Sequence, residues 1–105
     1  MKTATTERNL QLSALGFDYY RISTSGETGY RHAERNITVF RDPGPGSDEY
    51  NPPAPHDPNI PVIVDNGDRF GLYPNTAAAI AADFTTPHLI RDYQQIRAAE
   101  LESTN

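Results

Sequence analysis

Residues 59–84 constrain the fold more than any other stretch of this chain, because every local signal in them agrees. Ile60, Val62 and Val64 alternate with other side chains as a half-buried strand requires, Asn66-Gly67 is the favoured pair for a tight hairpin turn, and Phe70-Gly71-Leu72-Tyr73 returns as the partner strand. Pro74 stops that strand. Asn75 is placed to cap a helix in which Ala77, Ile80, Ala81 and Phe84 recur at i, i+3, i+4 and i+7. The stretch predicts a hairpin followed by a helix, and it carries no catalytic signature.

Upstream, the spacing predicts a helix from Thr6 to Leu15 with Glu7 in its first turn. Gly16 stands at the left-handed position after it, so that Phe17 folds back on Leu12. Phe17 to Thr24 is aromatic and β-branched, Ser25-Gly26-Glu27-Thr28-Gly29 reads as a turn, and Tyr30 to Phe40 reads as a second, longer strand. A register pairing Arg21 with Ala33 puts Phe17, Tyr19, Arg21, Arg31 and Arg35 on one face, with Tyr20, Ile22, His32 and Glu34 on the other. Residues 42–58 hold six prolines among acidic and glycine residues. They predict an exposed, extended loop, either a connector or an arm that contacts a partner through Asp48, Glu49 and Tyr50. Thr86 and Pro87 suit the cap and first turn of a last helix running to about Leu101, with Leu89, Ile90, Tyr93 and Ile96 on its apolar face.

The expected fold is therefore one α+β domain over 1–105, in the order α-β-β-loop-β-β-α-α, with an antiparallel sheet from two hairpins covered on one face by helices. At 105 residues such a domain buries roughly 60 to 70 per cent of the surface its unfolded chain exposes. With no Trp and 16 Gly plus Pro, the core must come from Phe17, Tyr19, Tyr20, Ile22, Ile37, Val39, Phe40, Ile60, Val62, Val64, Phe70, Leu72, Ile80, Phe84, Leu89, Ile90, Tyr93 and Ile96.

The absence of cysteine removes disulfides and thiolate metal sites. Residues 1–15 are polar and charged throughout, which argues against a signal peptide or a membrane span and makes a cytoplasmic location the expectation. Arginine outnumbers lysine eight to one, a bias typical of a GC-rich bacterial, archaeal or phage genome. Charge divides by region: residues 1–41 carry +2, residues 42–74 carry −5 and the remainder −2, for a net of −5. That balance argues against non-specific nucleic-acid binding, since neutralising phosphates needs clustered Lys and Arg.

No motif assembles a catalytic or metal site. His32 and Glu34, two apart on an expected strand, would stand about 7 Å apart on one side, but the zinc-deaminase pattern they begin lacks its cysteines. In Asp65-Asn66-Gly67-Asp68 a two-residue turn would set two carboxylates opposite each other, unless a longer loop, Arg69 or a cation relieves the repulsion. His56-Asp57 and the i, i+4 pair His88 and Asp92 accompany no nucleophile at a diagnostic spacing, and Pro43-Gly44-Pro45-Gly46-Ser47 lacks the lysine of a phosphate loop. The last two helices have the lengths of a helix-turn-helix, but their segment is net negative, so a packed helical pair is expected instead.

These readings leave no catalytic residue, metal or cofactor to assign. They favour a non-enzymatic protein-binding adaptor or inhibitor that occludes a partner surface, as an anti-defence protein of a phage or mobile element does. The candidate partner-binding residues are Tyr19, Arg21, Tyr30, Arg31, Arg35, Asp48, Glu49 and Tyr50, since Arg and Tyr concentrate where binding energy does. The alternatives are a nucleic-acid-binding accessory factor using Arg21, Arg31 and Arg35 and, behind it, a small metal-dependent hydrolase around His32, Glu34 and Asp65. A first expectation is that Ile80→Asp or Phe84→Asp unfolds the domain, because a buried unpaired charge costs several kcal/mol, about the whole stability of a domain this size. Circular dichroism of either variant checks it, and a native spectrum at 25 °C would contradict it.

Overall fold

A computed structural model describes residues 9–21, 28–45 and 54–103. Within them six antiparallel strands lie in the sheet in the order they occupy in sequence: β1 (Asp18–Arg21), β2 (Thr28–His32), β3 (Ile37–Arg41), β4 (Val62–Asp65), β5 (Arg69–Tyr73) and β6 (His88–Leu89). Three helices accompany them, α1 (Leu10–Ala14), α2 (Thr76–Ala81) and α3 (Tyr93–Ser103), the last preceded by a 3-10 turn over Ile90–Asp92. The domain is of the expected α+β class.

The strand pairing differs from the expectation in one consequential way. Arg21 pairs with Thr28, Tyr19 with Tyr30 and Asp18 with Arg31, a slip of five residues from the Arg21–Ala33 register. An odd slip turns every side chain of the partner strand to the other face. The expected long strand from Tyr30 to Phe40 is in fact two strands joined by a turn at Ala33-Glu34-Arg35-Asn36. Those four residues include none of the β-branched or aromatic residues that favour strands, and Asn36 takes the left-handed backbone (φ 56°) that asparagine tolerates and the turn needs. Arg31 then secures the turn by donating to Asn36 Oδ1 at 2.8 Å.

The β4–β5 hairpin forms where expected, with Val62 opposite Tyr73 and Asp65 opposite Phe70. Its loop is longer than two residues. Asn66 Oδ1 accepts from the N–H groups of Asp68 and Arg69 (3.2 and 2.9 Å), Asp65 Oδ1 accepts from Gly67 N–H at 2.6 Å, and Gly67 supplies the positive φ of 103°. Asp65 thus faces Phe70 rather than Asp68, and the repulsion between the two carboxylates is relieved by the loop itself.

Helix α2 starts as expected, with Asn75 Oδ1 accepting from Ala78 N–H at 2.8 Å, but its buried face is Thr76 and Ala79 rather than Ala77 and Ala81. Asp83 and Phe84 both turn left-handed (φ 53° and 56°), which brings Phe84 N–H to Ala79 O at 2.8 Å and drives its ring inward against Phe17, centroids 4.9 Å apart. The segment beyond is the second correction. Pro87 opens no helix: His88 and Leu89 pair with Phe70 and Arg69 at the otherwise unsatisfied edge of β5, and Ile90 N–H donates to Asp68 O at 2.9 Å. Those ladder bonds outweigh the local helix signal, and α3 begins only at Tyr93.

One sheet face carries Tyr30, Ile37, Val39, Val62 and Val64, all buried, under Phe17, Leu12 of α1, and Ala79 and Phe84 of the α2 region. Gly71 lets the chain over 85–87 cross this face, because a Cβ there would lie 2.6 Å from Thr85 O. On the other face Phe70 is buried against Tyr93, 5.0 Å between ring centroids. Arg97 grips Asp42 through both guanidinium nitrogens (2.9 and 3.2 Å) with each side chain about nine-tenths buried, and it also reaches Glu100 at 3.0 Å. These contacts lay α3 across the second face. Burial pushes the Tyr93 hydroxyl pKa up; Arg97 draws it down, while Asp42 and Glu100 push it further up.

Asn9, outside the expected core, joins the layers. It is fully buried and caps α1, its Oδ1 accepting from Leu12 N–H at 3.1 Å, while its amide donates to Pro55 O (2.8 Å) and Thr76 Oγ1 (3.0 Å) and its backbone N–H to the Tyr30 hydroxyl (3.0 Å). The end of the proline segment is accordingly not exposed: Ala54 and Pro55 are buried, and Pro58 O accepts from Thr76 N–H at 3.0 Å. Residues 46–53 of that segment lie outside the described residues.

Replacing Asn9 by Leu removes the cap and strands Thr76 Oγ1, Pro55 O and Leu12 N–H, an expected loss of about 2 to 4 kcal/mol on denaturant unfolding, against at most about 0.5 for exposed Leu10→Ala. Gly71→Ala should cost about 1 to 3 kcal/mol by pressing the 85–87 crossing outward. Tyr93 gives a pH dependence. Its folded pKa lies above the unfolded one, so its contribution is whole below the ordinary tyrosine pKa near 10 and is lost as pH rises through the folded value. Tyr93→Phe should remove that alkaline loss, checked by urea midpoints between pH 9 and 11.

Candidate interaction surface

The slipped register divides the residues expected to bind a partner. Tyr19 and Arg21 remain together on outer strand β1, both exposed, on the face that carries Tyr30. Tyr30 itself is fully buried, its hydroxyl held by Asn9 N–H and by His56 Nδ1 at 2.7 Å, so it belongs to the core and is corrected out of any contact surface. Arg31 points to the opposite face from Arg21. Arg35 sits in the β2–β3 turn, and Asp48, Glu49 and Tyr50 lie outside the described residues. A single arginine face therefore does not exist.

His56 is the residue the loop reading undervalued. Tyr19 stacks on its ring (centroids 5.6 Å apart, 24° between planes), and Tyr30 meets it edge-on at 5.7 Å. His32 and Glu34, expected on one strand face, are separated by the start of the turn. His32 packs edge-on against Phe17 at 5.3 Å and takes the Arg35 N–H at 3.4 Å, while Glu34 is exposed in the turn. Asp65 is engaged in its own hairpin, and among the described residues no three potential metal ligands stand together. His88, placed in β6 against Phe70, makes no helical pair with Asp92.

A different grouping emerges at one end of the sheet, where three connections meet: the turn 33–36, the loop 66–68 and the crossing 82–87. Arg31 bonds Thr38 Oγ1 (3.0 Å) and Asn36 Oδ1 (2.8 Å). Asn36 Nδ2 donates to Asn66 O (3.1 Å), and Asn66 Nδ2 to Thr86 Oγ1 (2.9 Å). One chain of side-chain bonds thus ties all three connections. Three non-glycine residues with positive φ, Asn36, Asp83 and Phe84, also gather here, which is where strained backbone is held in place by surrounding contacts. Of these residues, the sequence marks Asn66 alone as a turn former.

Arginines stand on this frame. Arg35 bridges Asp83 at 3.2 Å and lies 5.7 Å above the Phe84 ring. Arg69 donates to Pro87 O at 3.0 Å, and Arg91, on the 3-10 turn, leaves 81 % of its side chain in solvent. Carboxylates alternate with them: Glu34, Asp65, Asp68, Asp83 and Asp92. Ion pairs this exposed contribute little to stability, on the order of 0 to 1 kcal/mol, so their guanidinium groups are available to trade partners.

No family model, no curated protein and no solved structure matches the chain. What the coordinates define is a small α+β domain that presents, at one end, a loop platform with charges of both signs. No helix among the described residues is long and apolar enough to cross a membrane.

Asn66→Ala should loosen the platform without unfolding the sheet. We expect a loss of about 1 to 2 kcal/mol and faster amide exchange in 34–36 and 85–86 than in β4. Unchanged exchange in both connections would show that the bonds do not couple them. His56→Ala should cost about 1 kcal/mol through the lost Tyr30 hydrogen bond.

Proposed function

We propose that this protein is a non-enzymatic binding protein that acts by contacting another protein through the loop platform. The observation that carries the reading is the Arg31–Asn36–Asn66–Thr86 chain of hydrogen bonds. It holds three connections in one arrangement before any partner arrives, so that Arg35, Arg69 and Arg91 are presented with little ordering left to lose on binding. Arginine is among the residue types that carry most interface energy.

The mixture of signs favours a protein partner over nucleic acid. A phosphate backbone attracts a patch of clustered cations, whereas here each arginine has a carboxylate close by in sequence or space and the chain carries a net −5. Alternating charges match a partner surface of complementary pattern and give specificity and rapid encounter. Occluding that surface is the mode of an adaptor or inhibitor, and a cytoplasmic anti-defence role in a phage or mobile element is one setting for it. Tyr19 and Arg21, on the outer strand away from the platform, are a secondary contact in this reading.

The test compares capture from host lysate by wild type, by Arg35→Glu/Arg69→Glu and by Arg21→Glu, with gel shifts of DNA and RNA alongside. A protein captured by wild type and Arg21→Glu, lost in the double variant with its circular dichroism spectrum unchanged, supports the reading. A nucleic-acid shift that disappears in the double variant would give the function to the accessory-factor alternative. Equal capture by all three would move the contact off the platform.

A further inference from the structure

We infer that Asn66 is a site of spontaneous covalent modification, deamidation through a cyclic imide formed with the Gly67 nitrogen, and that the loop platform sets its rate. The chemistry stands whether or not the platform binds a protein. Of the seven asparagines in the chain, Asn66 alone precedes a glycine; the others precede Leu10, Ile37, Pro52, Ile60 and Thr76 or stand last. The nitrogen of the following residue is the nucleophile in this reaction, and a glycine there has no Cβ to crowd its approach to the carboxamide carbon.

The folded loop occupies the groups that the reaction must free. Asn66 Oδ1 accepts from the N–H groups of Asp68 and Arg69 at 3.2 and 2.9 Å, and its Nδ2 donates to Thr86 Oγ1 at 2.9 Å. The Gly67 N–H donates to Asp65 Oδ1 at 2.6 Å, and the Asn66 carbonyl accepts from Asn36 Nδ2 at 3.1 Å. The carboxamide is thus held to 68 and 69 at one end and to the 82–87 crossing at the other, while the hydrogen of the nucleophile is turned to Asp65. Ring closure brings the carboxamide carbon onto the Gly67 nitrogen, so these bonds open first. Gly67 is exposed, and water reaches the loop freely once they have.

Hydroxide removes the Gly67 N–H proton and the nitrogen forms a bond to Asn66 Cγ. The Cγ–Nδ2 bond breaks, and its nitrogen leaves as ammonia after taking a proton from water. Water then opens the five-membered imide at either carbonyl. Opening at Cγ gives an aspartyl residue, whereas opening at the main-chain carbonyl gives an isoaspartyl residue whose backbone runs through the side chain and is longer by one carbon. Either product replaces the Nδ2–H donor to Thr86 with a carboxylate, in a loop that already carries Asp65 and Asp68. The change falls at the centre of the Arg31–Asn36–Asn66–Thr86 chain of bonds, and it loosens the ties of 33–36 and 82–87 to the hairpin.

The test incubates the full chain at about pH 8 and about 37 °C beside the free peptide of residues 63–70, followed by peptide mapping with mass spectrometry that separates aspartyl from isoaspartyl products. We expect conversion at Asn66 ahead of every other asparagine in the chain, slower than in the peptide by about tenfold or more. Thr86→Val keeps the shape of the side chain and removes the acceptor of Nδ2, so it should speed conversion by about three- to tenfold. Asn36→Ala, which releases the Asn66 carbonyl, should act in the same direction. The isolated isoaspartyl form should show faster amide exchange in 34–36 and 85–86, with the central strands unchanged. Equal rates in chain and peptide, or unchanged rates in both variants with native circular dichroism spectra, would overturn the gating. Earlier conversion at another asparagine, or none at Asn66 within about thirty peptide half-lives, would overturn the site.

Discussion

The amide of Asn9 is the point on which the layers of this protein depend. Five hydrogen bonds of one fully buried residue reach four separate parts of the chain: α1, β2, the end of the proline segment and the first turn of α2. A buried amide left unpaired costs as much as a net hydrogen bond or two, so each of those segments is specified in place by the others. The apolar core beneath, from Leu12 to Phe84, is small and rich in valine and alanine. It supplies cohesion without saying at which angle two short helices should lie. Asn9 and Thr76 supply that direction.

A second polar device serves the other face in the same way. Arg97 and Asp42 pair with both side chains nearly dry, and Tyr93 lies between Phe70 and the Arg97 guanidinium, 5.8 Å from its ring. Helix α3 has little apolar surface, and this clamp specifies its seat more than it stabilises it, since a buried ion pair gains little net energy over a hydrophobic one. The sheet is thus a slab fixed from both sides by polar contacts, while side-chain bonds through Asn36 and Asn66 tie the connections at its loop end.

How much of this was legible in the sequence follows from how local each signal is. The β4–β5 hairpin, Asn75 as a cap and the α+β class were readable because strand alternation, turn chemistry and capping act within a few residues. The β1–β2 register was not, because Tyr30 to Phe40 contains strand-favouring residues at both ends and only Asn36 marks the break. Slipping the pairing by five moved Arg31 to the opposite face and divided the expected arginine surface. The last helix was overestimated because its N-terminal residues had a better use at the edge of β5, a competition that no window of sequence contains. Asn9 and His56 were missed for the same reason: their partners lie 21 to 67 and 26 residues away. Of the platform residues only Asn66 was visible as a turn former, and the convergence of Arg31, Asn36, Asn66 and Thr86 is a property of the topology.

Native-state hydrogen exchange tests the central claim most directly. If the Asn9 network couples the layers, the amides of Asn9, Leu12 and Thr76 should exchange with one common opening free energy, close to that of Val39 and Val64 in the central strands, because none can open without releasing the others. Exchange of the Asn9 and Thr76 amides through separate openings several kcal/mol below the central strands would contradict it, and would leave two short helices merely resting on a sheet that is stable without them.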